Sequence, residues 1–210
     1  MQIAILLYDR LTALDAIGPY DVLSRVPGAE VTFVAAKPGE VRTEQGSLGL
    51  MADAAFADHP RPDVVMVPGG LGTRALFDDE PTLDWLREAH AHSKWTTSVC
   101  TGSLVLAAAG ILDGVDATTH WLARDLLGEL GANLVPERVV QRGKIVTAAG
   151  VSSGIDMALR LVALEFGDVV AQAVQLGIEY DPAPPFDAGS PDKAPKEVVA
   201  LLQGIGLDGA

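Results

Sequence analysis

Apolar positions along the chain fall into short runs rich in β-branched residues, alternating with longer stretches at helical spacing. That alternation is the pattern of βα units around a mostly parallel sheet. Ile3–Tyr8, Val31–Ala36, Asp63–Val67 and Trp95–Val99 read as buried strands. Leu14–Val26 has apolar residues at nearly helical intervals, with Gly18-Pro19 predicting a kink or a broken first turn. Pro81–His92, Thr101–Ala109, Trp121–Leu130, Ser152–Phe166 and Val169–Tyr180 read as helices. The stretch 37–62, punctuated by Gly and Pro, has room for a short hairpin, and Val139–Gln141 with Ile145–Ala148 forms a second around Arg142-Gly143-Lys144. Asp181–Pro195 is rich in Pro, Gly and Asp and predicts an extended segment, followed by a short helix over Lys196–Leu202. The expected fold is a three-layer α/β sandwich, flavodoxin-like in plan, as one domain over residues 1–210.

With 210 residues and 49% apolar content, the chain can bury a full core without disulfides or metals. Fifteen basic against 28 acidic residues give a net charge of −13. No basic stripe is present to displace counterions from phosphates, so nucleic acid and anionic membrane surfaces are poor partners. A small, neutral organic substrate suits this balance better. Cys100 is the sole cysteine, which excludes an intramolecular disulfide. The N-terminal run Met1–Leu7 lacks the basic segment of a secretory signal, and no apolar stretch approaches the ~18 residues of a membrane span. A cytoplasmic protein is expected.

The most informative stretch is Thr96-Thr97-Ser98-Val99-Cys100-Thr101-Gly102-Ser103. A β-branched strand runs into a small-residue helix with the cysteine at the junction, the arrangement of a nucleophile elbow. The following helix would aim its N-terminal amides at the sulfur and favour the thiolate. An inert core cysteine is the competing reading.

Val67-Pro68-Gly69-Gly70 ends the neighbouring strand. Its glycines are expected to leave bare N–H groups for half of an oxyanion hole, with the Thr101 N–H as the other half. An ordinary Gly-rich turn is the alternative. Asp15 is an acid in an otherwise apolar segment. Desolvated, it would hold a proton near neutral pH and serve as a general acid, whereas an exposed Asp15 would be a helix cap. His120 follows a short strand and either pairs with the sulfur, lines the pocket, or is structural. His90 and His92 are spaced i,i+2 and cannot clamp a metal together, and HExxH is absent, so no metal and no cofactor are expected.

Taken in order, these motifs resemble the ThiJ/PfpI superfamily, with its class I glutamine-amidotransferase-like fold. The resemblance covers nearly the whole chain. It rests on Leu14-Asp15-Ala16-Ile17-Gly18-Pro19, Val67-Pro68-Gly69-Gly70 and Ser98-Val99-Cys100-Thr101-Gly102. Ala117-Thr118-Thr119-His120-Trp121, Gly150-Val151-Ser152-Ser153-Gly154-Ile155-Asp156 and Tyr180-Asp181-Pro182-Ala183-Pro184-Pro185-Phe186 extend it. It looks closest to the isonitrile hydratase branch and to the amidase-like domains of AraC-type regulators. The resemblance implies Cys100 as nucleophile with the Asp15 carboxyl beside it, Gly70 and Thr101 donating backbone hydrogen bonds, and a homodimer with Asp15 near the subunit contact. An aspartate at position 15, where many members carry glutamate, matches the hydratase branch. Glyoxalase- or amidase-like chemistry, a ligand-binding domain and an oxidation sensor are the other functions this superfamily offers.

Overall fold

The computed structural model describes residues 1–206; the last four positions of the expected domain, 207–210, lie outside the described residues. The described residues hold eleven strands and seven α-helices. The first part holds β1 (Gln2–Leu6), α1 (Ala13–Leu23), β2 (Glu30–Ala35), β3 (Gly39–Arg42), β4 (Gly49–Ala52), β5 (Ala54–Ala55) and β6 (Val64–Val67). Then come α2 (Glu80–His92), β7 (Trp95–Val99), α3 (Gly102–Ala108), β8 (Asp116–Ala117), α4 (Arg124–Glu129) and β9 (Asn133–Leu134). β10 (Val139–Arg142), β11 (Ile145–Ala148), α5 (Ser153–Phe166), α6 (Asp168–Gly177) and α7 (Lys196–Ile205) complete the described elements.

Seven strands form the central sheet in the order β10-β11-β7-β6-β1-β2-β5. Every pairing in it is parallel except the edge hairpin β10–β11. The central strands are apolar without alternation because both sheet faces are covered. All of Val64–Val67 and of Ile3–Leu6 is buried. Each such Leu or Ile contributes about 1.5–3 kcal/mol of transfer free energy.

The chain runs from β1 outward to β2, but from β6 to β7 in the opposite direction. Right-handed crossovers therefore put α1 on one face and α2 and α3 on the other. α5 joins α1, and α2 packs with α3. The direction reverses at the β1/β6 boundary, and ligands in open parallel sheets bind at the carboxyl ends of strands at such a reversal. In register, Ile5 of β1 lies beside Met66 of β6, and Val67 beside Ser98 of β7. The turns leaving β1, β6 and β7 thus emerge side by side.

The expected α/β sandwich with a mostly parallel sheet is present, and the structure differs from the pattern reading in detail. α1 continues through Gly18-Pro19 and ends at Leu23, three residues short of the expected Val26. Trp121–Leu130 divides into a 3-10 turn at Trp121–Ala123 and the short α4. The stretch 37–62 holds the antiparallel β3–β4 pair. Asp181–Pro195 carries no helix or strand. No helix among the described residues is long and apolar enough to cross a membrane.

Candidate active site

Cys100 follows β7 with a backbone φ of +56°, the left-handed region that a side chain rarely adopts. Holding a non-glycine residue there costs about 1–3 kcal/mol and persists only where the surroundings enforce it. Here they do. The Cys100 N–H donates to the carbonyls of Ala148 at 3.1 Å and Ala149 at 2.9 Å. Its own carbonyl accepts from the hydroxyls of Thr119 at 3.0 Å and Ser103 at 3.2 Å. The elbow is therefore pinned on both sides.

Gly69 and Gly70, at the turn leaving β6, bring main chain directly against this elbow. A Cβ on Gly69 would lie 2.5 Å from the Thr101 nitrogen and 2.8 Å from the Cys100 Cβ. Gly70 has φ +140°, and a Cβ there would meet the Thr12 nitrogen at 2.5 Å. Only glycine allows this approach.

The expectation that these glycines leave bare N–H groups is corrected. Gly69 N–H donates to Asp15 Oδ2 at 2.8 Å, and Gly70 N–H donates to Thr101 Oγ1 at 2.9 Å. The Thr101 amide faces the sulfur as expected, and the Val151 amide takes the place expected of the glycines. Val151 stands in the quoted Gly150–Asp156 motif but was given no role, because it acts through its backbone N–H from the turn after β11.

Asp15 is not the cap of α1. Thr12 occupies the N-cap and Asp15 sits in the first turn, wholly buried. The Thr12-Ala13-Leu14-Asp15 spacing is that of a capping box, yet both side chains are diverted. Thr12 makes no cap hydrogen bond and donates instead to Glu44 Oε2 at 2.9 Å. Asp15 Oδ1 is buried with no hydrogen-bond partner. Burial pushes the Asp15 carboxyl up to about 8; Gly69 N–H works against this, the Glu44 charge adds to it, and a contact with the Cys100 side chain opposes it. Oδ2 accepts the Gly69 N–H, and the carboxyl is in contact with the Cys100 side chain.

The expected stabilisation of a thiolate is overturned. Burial pushes the Cys100 thiol up, and the Asp15 charge pushes further; the Val151 and Thr101 amides offset only part of it. Cys100 is 5% exposed, so its sulfur is largely withdrawn from solvent. Desolvation of a full charge outweighs two amide dipoles. At neutral pH the site holds a thiol beside a carboxylic acid.

Above the sulfur lies a cavity of about 110 Å³, walled by Thr12, Glu44, Leu71, Arg74, Leu104 and Val151, with His120 at one side. His120 does not pair with the sulfur. Its Nδ1 accepts the Leu122 N–H at 3.3 Å, and burial and the nearby Arg124 charge lower its basicity. Tyr8, beneath the site, donates its hydroxyl to the Pro68 carbonyl at 2.8 Å. Cys100, Asp15, Thr101, Gly69, Gly70 and His120 are thus brought together by the turns after β1, β6, β7 and β8. Glu44, Thr12 and Arg74 were not singled out by their sequence context.

The DJ-1/PfpI family matches residues 1–164, a span that includes Asp15, the glycine turn and the Cys100 elbow. The chain belongs to the DJ-1/PfpI family. Among proteins of this family, an isonitrile hydratase of Pseudomonas putida is 49% identical over 199 residues, 95% of this chain and 87% of that protein. The crystal structure of a ThiJ/PfpI family protein from Pseudomonas syringae superposes with a TM-score of 0.93 at 39% identity, covering 97% of this chain and 85% of that one. A transcriptional regulator of Pseudomonas aeruginosa, GbdR, is 27% identical over 188 residues, which is 86% of this chain but 51% of the regulator.

Proposed function

We propose that this DJ-1/PfpI protein is an isonitrile hydratase-like lyase, converting R–N≡C to the formamide R–NH–CHO without a cofactor. Cys100 acts as nucleophile and Asp15 as acid and base. The observation that carries the reading is the wholly buried Asp15 carboxyl in contact with the Cys100 side chain, in a chain 49% identical to an isonitrile hydratase.

The chemistry follows from a site that is neutral at rest. The terminal carbon of an isonitrile must gain a proton and a nucleophile. Asp15 delivers its proton to that carbon, and the Cys100 sulfur bonds to it while passing the thiol proton to the carboxylate. The product is the thioimidate R–N=CH–S–Cys100, with Asp15 protonated again. Water then adds to the same carbon, Asp15 giving its proton to nitrogen and taking one from the water. The resulting R–NH–CH(OH)–S–Cys100 loses its carbon–sulfur bond, and the hydroxyl proton returns to sulfur. Every step begins and ends with both groups uncharged, as burial favours.

The Thr101 and Val151 amides stabilise negative charge on sulfur as its bonds form and break. Gly69 fixes the acid and Gly70 fixes Thr101. His120, with Leu71 and Leu104, bounds the space for the substituent. A neutral isocyano group suits so desolvated a pocket. A raised thiol disfavours the oxidation-sensor reading, since oxidation follows thiolate character.

The reading includes action in the reducing cytoplasm and a homodimer. Leu14 and Tyr20 leave apolar surface on α1 beside Asp15, 39% and 37% exposed, which a second copy would cover. The test is to incubate the purified protein with cyclohexyl isocyanide and follow formamide, with Cys100→Ala alongside. Cys100-dependent formamide is expected. Equal formamide from the Ala variant removes the nucleophile, and none from the wild type removes the substrate class.

A further inference from the structure

Glu44 stands in the connection between β3 and β4, in a stretch whose sequence marks only turns, yet its carboxylate lines the same cavity as Cys100. Two hydrogen bonds tie it to the loop leaving β1. Its backbone N–H donates to the Leu11 carbonyl at 3.0 Å, and its Oε2 accepts the Thr12 hydroxyl at 2.9 Å. Thr12 is the hub of a closed circuit. Its N–H donates to the Gly69 carbonyl at 2.8 Å, its carbonyl accepts the Asp15 N–H at 3.2 Å, and Gly69 N–H returns to Asp15 Oδ2 at 2.8 Å. The Thr12 hydroxyl, released from capping α1, thus donates to a carboxylate that reaches this circuit from outside.

We propose that Glu44 is a positioning residue for Asp15: through Thr12 it clamps the turn that seats the acid against Gly69, and its negative charge keeps the proton on the acid. The proposal rests on the hydratase reading for its catalytic consequence, not for the effect on Asp15 itself.

The groups around the Asp15 carboxyl make the sign of the effect definite. Tyr8 faces it from the end of β1, Cys100 from the turn after β7 and Glu44 from the β3–β4 connection. Tyr8 and Cys100 are both held neutral by burial, so Glu44 is the negative charge among these three. Arg74 and His120 complete the ionisable groups on the cavity wall, and Asp9 and Arg10 on the preceding loop are exposed. Removing the Glu44 charge makes ionisation of Asp15 easier. Its midpoint then falls, and with it the alkaline limb of any activity that needs the acid form.

Glu44→Gln keeps an oxygen to accept the Thr12 hydroxyl and removes only the charge. In full-length protein labelled with 13Cγ-aspartate, the Asp15 resonance, assigned by its loss in Asp15→Asn, is expected to titrate roughly 0.5–1 unit lower in the variant. Turnover of cyclohexyl isocyanide is expected to fall roughly threefold at pH 8 and to stay near wild type at pH 6, the fraction of protonated acid setting the ratio. Glu44→Asp, which retains the charge, is expected to restore most of the shift and provides the second variant should Gln disturb the fold. An unmoved Asp15 midpoint in Glu44→Gln overturns the proposal, as does a uniform loss of rate with an unmoved pH profile. If the wild type makes no formamide, the hydratase reading fails alone, and the NMR titration still decides the role of Glu44.

Discussion

Asp15→Asn tests the acid through stability, independently of any substrate. The folded carboxyl titrates near 8 because it is buried, whereas in the unfolded chain an aspartate titrates near its ordinary ~3.9. Between those values the native state binds the proton and the unfolded state does not, so stability must fall as pH rises through this window. Below ~4 both states are protonated and the term vanishes. By pH 7 the accumulated loss is roughly 4 kcal/mol, about three pH units at 1.36 kcal/mol each. Asparagine cannot ionise, keeps the oxygen that accepts the Gly69 N–H, and preserves volume. The assay is urea unfolding of both proteins at fixed concentration between pH 5 and 8. Over these three units the wild type should lose about 4 kcal/mol relative to Asp15→Asn. At a slope of about 2–3 kcal/mol/M, this is roughly 1.3–2 M in relative midpoint. Other titrating groups cancel in the difference. Parallel pH dependence of the two proteins would refute the buried, protonated acid.

Other consequences are as direct. Cys100→Gly should be about 1 kcal/mol more stable than Cys100→Ala in urea unfolding, because glycine relieves the left-handed backbone at this position, while both variants lose turnover. Gly69→Ala should abolish formamide production and destabilise by about 2 kcal/mol or more, since the new methyl overlaps the Cys100 Cβ and the Thr101 amide; thermal melting and turnover measured together check this. Thr101→Val removes the acceptor for Gly70 N–H and should lower stability by about 1–3 kcal/mol, with a matching loss of rate. Size-exclusion chromatography with light scattering should give twice the chain mass for the wild type, and Tyr20→Arg should shift it toward the single-chain value.

Much of this architecture was legible because its central strands are buried on both faces. Val64–Val67 and Ile3–Leu6 are continuous apolar runs with abrupt ends, so their positions and the turns after them could be read directly. The two-residue strands β5, β8 and β9 carry no such run; their pairing is created by neighbours distant in the chain. Pro19 suggested a break in α1, but packing of α1 on α5 carries the helix through it. Which residues the turns bring together was readable, and their electrostatic state was not. A strand–Cys–helix junction looks the same in sequence whether the sulfur is wet or dry, and the burial that dries it comes from segments far from it in the chain, the glycine turn after β6 and the turn after β11 among them. Glu44 was hidden because its role depends on a loop folding onto Thr12, thirty-two positions earlier.

The two carbonyls that hold the Cys100 amide belong to Ala148 and Ala149, and this has a consequence for the protein while it is being made. The elbow cannot close until about fifty further residues have been added. At about 5–20 residues per second that interval is roughly 2–10 s. Throughout it, Cys100 is an ordinary thiol on an unfinished chain, with a pKa near 8.5 and open to electrophiles. Chemical damage to Cys100 is thus a hazard of biosynthesis, and closing the sheet over the finished elbow brings it to an end.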